Sequence, residues 1–261
     1  MKSIVIDLPS DIQKLKIVPF GDWHKDDPKC NKKFIEDTVN KIKNEPNTYA
    51  IANGDLLNFA LAGSKSDIYS SKFNPQEQLE WAVETLMPIR DKILALGPGN
   101  HEDRAYKLCG IVPCRYITSQ LGILDRYHDT GAIIFVSFGR MNRRKSEGRK
   151  ITYSLYCKHG ASGGKTAGAK VNALEAFADN IDADIYIGSH THMPFQFPNG
   201  YYRVNLTNRS IHFVTKLFVN TSAALDFGGY GEQYGYRPAA LAHIEIELDG
   251  AKRQMTASLQ V

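Results

Sequence analysis

The sequence has no long apolar run, no regular cysteine framework and no strong excess of either charge. No stretch of its 261 residues approaches the ~20 apolar residues that a membrane-spanning helix needs. The opening residues, MKSIVIDLPSD, meet an Asp and a Pro too early to hold the apolar region of a signal peptide. The four cysteines form no CxxC pair, so we expect reduced thiols and a cytoplasmic location.

The charge balance excludes little and permits an anionic substrate. Lysines and arginines number 32 against 28 acidic residues, a formal net charge of +4, which does not by itself require nucleic acid as a partner. The apolar content of 43% is typical of a globular protein, and the length suffices to bury a core without disulfides. With no repeat and no low-complexity linker, we expect one domain over residues 1–261.

Apolar runs alternate with helix-like stretches through the first two thirds, a pattern typical of a layered α/β fold. One helix is predicted after Asn74, which can cap it, with Pro75 at the first helical position and Glu77 reaching back to the cap. Another is predicted over 169–178. The short β-type runs of 194–261 are expected to complete a second sheet. Five earlier runs are predicted as strands that each end at a polar, glycine-containing turn: 16–20, 49–52, 93–96, 153–157 and 185–187.

Histidines and carboxylates collect in the turns that follow these five strands. Because layered α/β folds bind ligands at the carboxyl ends of their strands, we expect the turns to converge on one site within 15–193. Five of the eight histidines of the chain lie there. In chain order the turns contain Asp22-x-His24, Gly54-Asp55, Gly99-Asn100-His101-Glu102, His159-Gly160 and Gly188-Ser189-His190-Thr191-His192.

These residue types indicate metal binding. Carboxylate, imidazole and amide oxygen form a donor set without sulfur, which suits Mn, Fe, Zn, Co or Ni. Seven such side chains are too many for one ion but match two ions about 3.5–4 Å apart that share a carboxylate, for which Asp55 is the obvious candidate. Each turn alone is more often ordinary turn chemistry or a buried histidine. The ordered combination predicts the site.

The series from Asp22 to His192 resembles the signature of the calcineurin-like metallophosphoesterase superfamily. The resemblance implies a four-layer α/β sandwich with two mixed β-sheets and two divalent metal ions at its centre, manganese being the first expectation. His101 resembles the family's histidine that stays off the metals and faces the ester. The resemblance implies one ion held by Asp22, His24, Asp55 and His192, and another held by Asp55, Asn100, His159 and His190.

The sequence departs from the family pattern at two places. The family usually has glycine directly before the first histidine of the last motif, where this chain has Ser189. Because glycine permits backbone shapes that other residues resist, a slightly shifted turn is expected before His190. The Gly-Asp-x-x-Asp-Arg motif of the protein-phosphatase branch is also missing, since residues 54–58 read GDLLN. This argues against a Ser/Thr protein phosphatase.

The expected activity is hydrolysis of a phosphate ester by in-line attack of a hydroxide held between the two ions. His101 is expected to protonate the leaving oxygen or to stabilise charge on it. Arg104 is a candidate for binding the substrate phosphate, with a surface salt bridge to Glu102 or Asp103 as the alternative. A phosphodiesterase, including a nuclease, is favoured by a small margin over a phosphomonoesterase. The alternative of another class is a non-catalytic, metal-stabilised binding subunit.

Two further segments bear on the substrate. Residues 160–166, GASGGKT, fall one residue short of a P-loop, and we expect a rim of the metal site with Lys165 facing phosphate. Basic residues crowd 140–150, which is typical of a solvated hairpin tip and, as the alternative, of contact with a nucleic-acid backbone. C-terminal tyrosines could stack bases but more often pack. No membrane partner is expected, and no apolar patch for dimerisation stands out in the sequence.

Overall fold

The computed structural model describes residues 1–62, 64, 66–141, 148–161 and 163–261. Over these ranges it has six α-helices: α1 Lys32–Asn44, α2 Pro75–Leu86, α3 Asn100–Cys109, α4 Pro113–Gln120, α5 Ala167–Glu175 and α6 Tyr230–Gln233. The strands are β1 Lys2–Asp7, β2 Lys14–Phe20, β3 Thr48–Asn53, β4 Ile93–Gly97, β5 Ala132–Phe138, β6 Ile151–Cys157, β7 Ile185–Gly188, β8 Phe195–Asn205, β9 Ser210–Asn220, β10 His243–Asp249 and β11 Met255–Gln260. Short 3₁₀ helices cover Ile68–Ser70, Met87–Lys92, Leu124–Arg126 and Ala176–Asp179.

The strands form two mixed sheets. The six-stranded sheet has the order β1-β5-β6-β7-β9-β8, and the five-stranded sheet has the order β11-β10-β2-β3-β4. Strands β2, β3 and β4 run parallel to one another, and so do β6, β7 and β9. The parallel strands of each sheet therefore direct their carboxyl ends to one edge of that sheet, which is where the predicted turns lie.

Three apolar clusters hold four layers together, as expected for the sandwich. The central cluster joins the inner faces of the two sheets, with Ile17 of β2 and Leu155 of β6 among its members. A second cluster packs the outer face of the five-stranded sheet, including Val18, against α1, α2 and α4. A third, smaller cluster packs Tyr186 of the six-stranded sheet against Leu174 of α5. Strand β2 is buried on both faces because Ile17 and Val18 enter different clusters, which explains its continuous apolar run.

The predicted strands are confirmed, each one or two residues longer than its apolar run. Helix α2 has the predicted capping box: Asn74 Oδ1 accepts from the Glu77 N–H at 3.0 Å, and Glu77 Oε2 accepts from the Asn74 N–H at 2.7 Å. The strands after residue 194 divide between the sheets, since β8 and β9 join the six-stranded sheet and β10 and β11 the other. None of the helices in the described ranges is both long and apolar enough to cross a membrane.

One predicted turn has a different structure. Residues 99–102 do not form a free loop after β4, because Asn100 is the first residue of helix α3 and Gly99 is its N-cap. Glu102 therefore lies in the first turn of this helix. Near the site, the two sheets are joined at their strand ends: Asn53 at the end of β3 donates from Nδ2 to the Lys158 carbonyl at 3.1 Å, directly after β6.

Candidate metal centre

The five strand ends bring seven carboxylate and imidazole side chains into one cluster. Both carboxylates, Asp22 and Asp55, are fully buried. Within each of three groups, one ligand atom per residue lies within 4.8 Å of the others: Asp22, His24 and His192; His24, Asp55 and His101; Asp55, His159 and His190.

The first group surrounds one carboxylate oxygen. Asp22 Oδ1 lies 3.5 Å from His192 Nε2 and 3.9 Å from His24 Nε2. The two imidazole nitrogens are only 3.1 Å apart. Asp22 Oδ2 accepts a hydrogen bond from the His190 N–H at 2.8 Å, whereas Oδ1 is buried and accepts none. A buried carboxylate oxygen without a donor, facing two imidazoles, is the arrangement that a cation would complete.

The second group is centred on the other carboxylate. Asp55 Oδ2 lies 3.1 Å from His159 Nε2. His159 Nδ1 is 2.7 Å from the Asn53 carbonyl, to which it can only donate, so its Nε2 faces the carboxylates. Such a second hydrogen bond orients metal-binding histidines in general. The donor set of both groups, oxygen and nitrogen without sulfur, fits divalent transition metals.

The electrostatics of the cluster favour positive charge between the carboxylates. Burial would lower the pKa of His159, but Asp55 and Asp22 outweigh it and raise that pKa to about 10. Burial would raise the pKa of Asp55, but His159 and the other imidazoles hold it well below its usual range. For Asp22 the effect of burial is larger than the opposing effect of His159, and burial raises its pKa to about 7. A dication would satisfy the same electrostatic demand more fully.

The backbone at the cluster is strained in a way that the sequence did not reveal. Five of the predicted metal ligands have a left-handed backbone, with φ between 45° and 67°. Such conformations cost non-glycine residues of order 1–3 kcal/mol each and concentrate at functional sites. Backbone hydrogen bonds hold them in place, for example from the Asp22 N–H to the Gly54 carbonyl at 2.9 Å. The five residues are Asp22, His24, Asp55, His190 and His192.

His101 lies at the edge of the cluster and is held from behind. Its Nδ1 is 2.7 Å from the Asn58 carbonyl, so its Nε2 faces the cluster, 3.9 Å from Asp55 Oδ2. Its backbone N–H donates to Asp55 Oδ1 at 2.8 Å, and its ring meets the His24 ring edge-on at 4.4 Å. Asn100 immediately precedes it and is exposed, so its role as a metal ligand stays a prediction.

Ser189, the departure from the family pattern, is accommodated by its surroundings. Its buried hydroxyl accepts hydrogen bonds from Asn53 Nδ2 and Thr221 Oγ1, both at 2.8 Å. A side chain at Gly21 would place its Cβ 2.9 Å from this hydroxyl, so the glycine leaves the space that the serine occupies. The left-handed residue of the turn is His190, with φ 67°, and not Ser189.

We predict that Ser189→Ala lowers the free energy of unfolding by about 1–3 kcal/mol, because it leaves buried donors of Asn53 and Thr221 without their acceptor. Urea unfolding of wild type and variant measures this. Ser210→Ala is the control, since its hydroxyl bonds exposed His212 at the surface and its loss should cost under about 0.5 kcal/mol. Equal stability of the two variants would contradict the assignment.

Glu102 is a positioning residue that the sequence reading missed. It is fully buried, so the surface salt bridge between Glu102 and Arg104 is excluded. Its Oε2 accepts from the N–H groups of Asp55 at 2.9 Å and Gly99 at 2.8 Å, and its Oε1 accepts from that of Leu57 at 3.1 Å. One carboxylate therefore joins the turn after β3, which carries Asp55, to the start of α3. An acidic residue in a first helical turn was the only sequence signal.

We predict that Glu102→Ala lowers the free energy of unfolding by about 3 kcal/mol or more, because three buried N–H groups lose their acceptor. Glu102→Gln should fall between this variant and wild type, since its amide keeps one acceptor oxygen and points an N–H₂ group at a donor. Denaturant unfolding measures both. If Glu102→Ala unfolds within about 0.5 kcal/mol of wild type, the three bonds do not hold the turn.

Lys170 and Asn220 were also missed, and both hold the turn between His190 and His192. Lys170 of α5 is buried and donates from Nζ to the Thr191 carbonyl at 2.8 Å. Asn220 Nδ2, at the end of β9, donates to Thr191 Oγ1 at 3.0 Å and to the Met193 carbonyl at 2.9 Å. No local sequence pattern predicts these contacts, because they join elements that are distant along the chain.

The two predicted substrate-binding residues differ in their surroundings. Arg104 of α3 donates from Nη1 to the Asn58 carbonyl at 3.4 Å, the same carbonyl that contacts His101, and to Ser66 Oγ at 3.0 Å. It therefore lies beside His101. Lys165 instead donates to the Tyr234 carbonyl at 2.5 Å and lies 5.5 Å from the centre of the Tyr236 ring. It thus joins the 160–166 segment to the loop that precedes β10.

The basic segment is described only in part. Strands β5 and β6 pair in antiparallel fashion on either side of it, as a hairpin requires. Arg140 and Arg149 are exposed, and Lys150 contacts Asp7 Oδ1 at 2.6 Å. The predicted basic residues Arg143, Arg144 and Lys145 lie outside the described residues.

A four-layer α/β sandwich with buried carboxylates and histidines at its strand ends defines a metal-binding protein of the metallophosphoesterase class. The family model for calcineurin-like phosphoesterases matches residues 15–194. The chain belongs to this family. No curated protein sequence matches it.

Several solved structures resemble the chain along most of its length. A predicted phosphoesterase from Streptococcus pneumoniae TIGR4 has 13% identity and a TM-score of 0.39, covering 95% of this chain and 91% of its own. Vacuolar Protein Sorting 29 from Cryptosporidium parvum has 13% identity and a TM-score of 0.43, covering 95% and 98%. A metallophosphoesterase from Sphaerobacter thermophilus has 11% identity and a TM-score of 0.43, covering 95% and 88%.

Proposed function

We propose that the chain is a metal-dependent phosphoesterase. The observation that carries the proposal is the meeting of Asp22, Asp55 and the surrounding imidazoles in one buried cluster, with His101 at its edge. Two divalent ions bound there would lower the pKa of a water towards about 7 and neutralise charge on the phosphoryl oxygens. The residues that would hold them are Asp22, His24, Asp55 and His192 for one ion, and Asp55, Asn100, His159 and His190 for the other.

His101 is the proposed catalytic residue. The Asn58 carbonyl holds Nδ1, which leaves Nε2 free to face the leaving oxygen of an ester. Burial lowers the pKa of His101, while Asp55 raises it. The pKa of His101 lies below its usual value on balance. A bound phosphate anion would raise it and favour the protonated ring, which can donate to the leaving oxygen.

Arg104 is the proposed phosphate-binding residue. We predict that Arg104→Ala raises KM about tenfold or more with little change in kcat, because a charged hydrogen bond to substrate is worth about 1.5–3 kcal/mol. Arg104→Lys should recover part of the loss, since it keeps the charge but not the planar fork. Steady-state kinetics on a generic phosphate ester measure this. An unchanged KM in Arg104→Ala would mean that the side chain has a structural role, which includes its contacts with Ser66 and Asn58.

The substrate we propose is a phosphodiester, with nucleic acid as the candidate polymer. Support comes from the absence of the protein-phosphatase motif at 54–58 and from an aromatic and basic segment that we expect to form a rim of the metal site. That rim contains Lys165 and Tyr234, which is half exposed and could stack on a base. A phosphomonoesterase is the nearest competing function.

The deciding experiment is hydrolysis of p-nitrophenyl phosphate and of its bis ester by protein stripped with EDTA and then loaded with Mn²⁺, Ni²⁺, Co²⁺ or Zn²⁺. We expect metal-dependent turnover with the bis ester preferred. Preference for the monoester would overturn the diesterase assignment. Stoichiometric metal binding without turnover of either ester, or of a single-stranded oligonucleotide, would support the non-catalytic binding subunit instead.

A further inference from the structure

The β8–β9 hairpin carries an apolar surface that the described part of the chain leaves uncovered. Tyr202 pairs across the hairpin with Phe213, and Val204 pairs with Ile211. These four side chains and Leu206 in the connecting turn are between 61% and 85% exposed, and we call the five the hairpin patch. Single exposed apolar residues are common, but a contiguous group of large ones marks an interaction site.

The hairpin patch continues a face that is buried elsewhere. Leu217 and Val219 of β9 point into the central core between the two sheets. Because side chains alternate along a strand, Phe213 and Ile211 lie on this same face, further out. Strand β9 pairs with β7 only over 217–220, so the outer half of the hairpin extends beyond the neighbouring strand. The patch therefore continues the sheet face that packs in the central core, but it lies beyond the part of that face that the opposing sheet covers.

The two aromatic rings of the hairpin patch pack against each other. The Tyr202 and Phe213 rings meet edge-on, with their centres 5.6 Å apart and an angle of 71° between their planes. A Cβ at Gly200 would lie 2.5 Å from the tip of the Phe213 ring, so the ring lies against the hairpin where the glycine leaves space. A preorganised aromatic surface loses little side-chain entropy when a partner covers it.

We propose that the hairpin patch is the contact between two copies of this chain related by a two-fold axis. A two-fold axis places the same surface on both sides, and sheet faces pack about 10 Å apart. The five side chains offer on the order of 500 Å² per copy, of the roughly 600–800 Å² that each partner buries in a stable interface. Polar residues that flank the patch would provide the remainder.

The charge distribution favours a second copy over a charged partner. The five side chains of the patch are uncharged, so packing the patch of one copy against the patch of another buries no ionised side chain of either patch. Arg203, whose position between Tyr202 and Val204 directs it to the opposite face, is paired there with Asp182 at 2.8 Å.

Sedimentation equilibrium of the full chain at about 10–100 µM tests the proposal. Wild type should have twice the 29.2 kDa mass of one chain, whereas Phe213→Asp and Ile211→Asp should raise the dimer dissociation constant at least about 100-fold. Val5→Asp is the control, because Val5 is equally exposed on β1 at the opposite edge of the same sheet, and this variant should stay dimeric.

Two results would overturn the dimer. One is a monomeric wild type over the whole concentration range. The other is a dimer that persists in both aspartate variants while their circular dichroism and unfolding midpoints match wild type. Should an aspartate variant unfold, Tyr202→Ser replaces it, because this exposed position tolerates a polar side chain and a serine still removes an aromatic ring from the patch.

Discussion

We expect His101→Ala to lower kcat by about 10²–10⁴-fold while the protein keeps its metal content. The expectation follows from the position of this ring, which is held by the Asn58 carbonyl and faces the carboxylate cluster without belonging to the predicted ligand set. The loss should appear equally in kcat and kcat/KM, because the contact with the leaving oxygen strengthens only in the transition state. Steady-state kinetics and elemental analysis of the same preparations measure both quantities.

His212→Ala is the matched control for this variant. His212 lies on the exposed first half of strand β9, where it contacts Ser210 Oγ at 2.8 Å. Its removal should leave kinetics and metal content unchanged. If His101→Ala instead lost metal together with activity, the residue would be a ligand, in keeping with its place in the group with His24 and Asp55. Full turnover in His101→Ala would remove it from the mechanism.

Asp55→Ala should lose metal and activity together. Asp55 is the carboxylate shared by two of the three candidate ligand groups, and a cation in this buried site would need its negative charge to offset the lost hydration. We expect metal content to fall from about two ions per chain to one or fewer, and kcat to fall by more than about 10²–10³-fold. Elemental analysis after gel filtration and hydrolysis at saturating Mn²⁺ provide the measurements.

Asp55→Asn removes the negative charge of this side chain but nearly keeps its shape, so it separates the two effects. The amide oxygen can still accept the hydrogen bond from the His101 N–H, so the turn should keep its form, but the charge that neutralises a dication is gone. We expect this variant to fold and to bind metal weakly. Asp129→Ala, an exposed aspartate outside the cluster, should behave as wild type. Unaltered metal content in both Asp55 variants would rule out the bridging role.

Much of the site could be predicted because its residues follow strands that end at recognisable turns. The apolar runs before Asp22, Asp55 and His159 are each buried strands, and parallel strands place their ends at a common edge. The capping box of α2 is likewise local, since Asn74 and Glu77 are three residues apart. Local chemistry of this kind is legible without knowing what packs against it.

The contacts that hold the ligands in place were not legible in this way. Glu102 accepts from the N–H groups of Asp55 and Leu57, which lie 47 and 45 residues away in the chain. Lys170, in the first turn of α5, reaches Thr191, which lies 21 residues away. The serine at 189 reads as a departure from the family pattern, yet the structure supplies Asn53 and Thr221 as donors and Gly21 as space. Each of these contacts depends on which strand ends the fold brings together.

The sequence by itself determined the strands, the order of the turns with candidate metal ligands and the resemblance to the family, because these depend on residue type and on short-range spacing. The tertiary structure alone decided which turns face one another, which backbones are strained and which apolar surface stays uncovered. Ile211 and Phe213 follow the same alternation as the buried Leu217 and Val219 further along β9. Only the stacking of the two sheets shows that the opposing sheet ends before it reaches them, because burial depends on the partner surface and not on the strand.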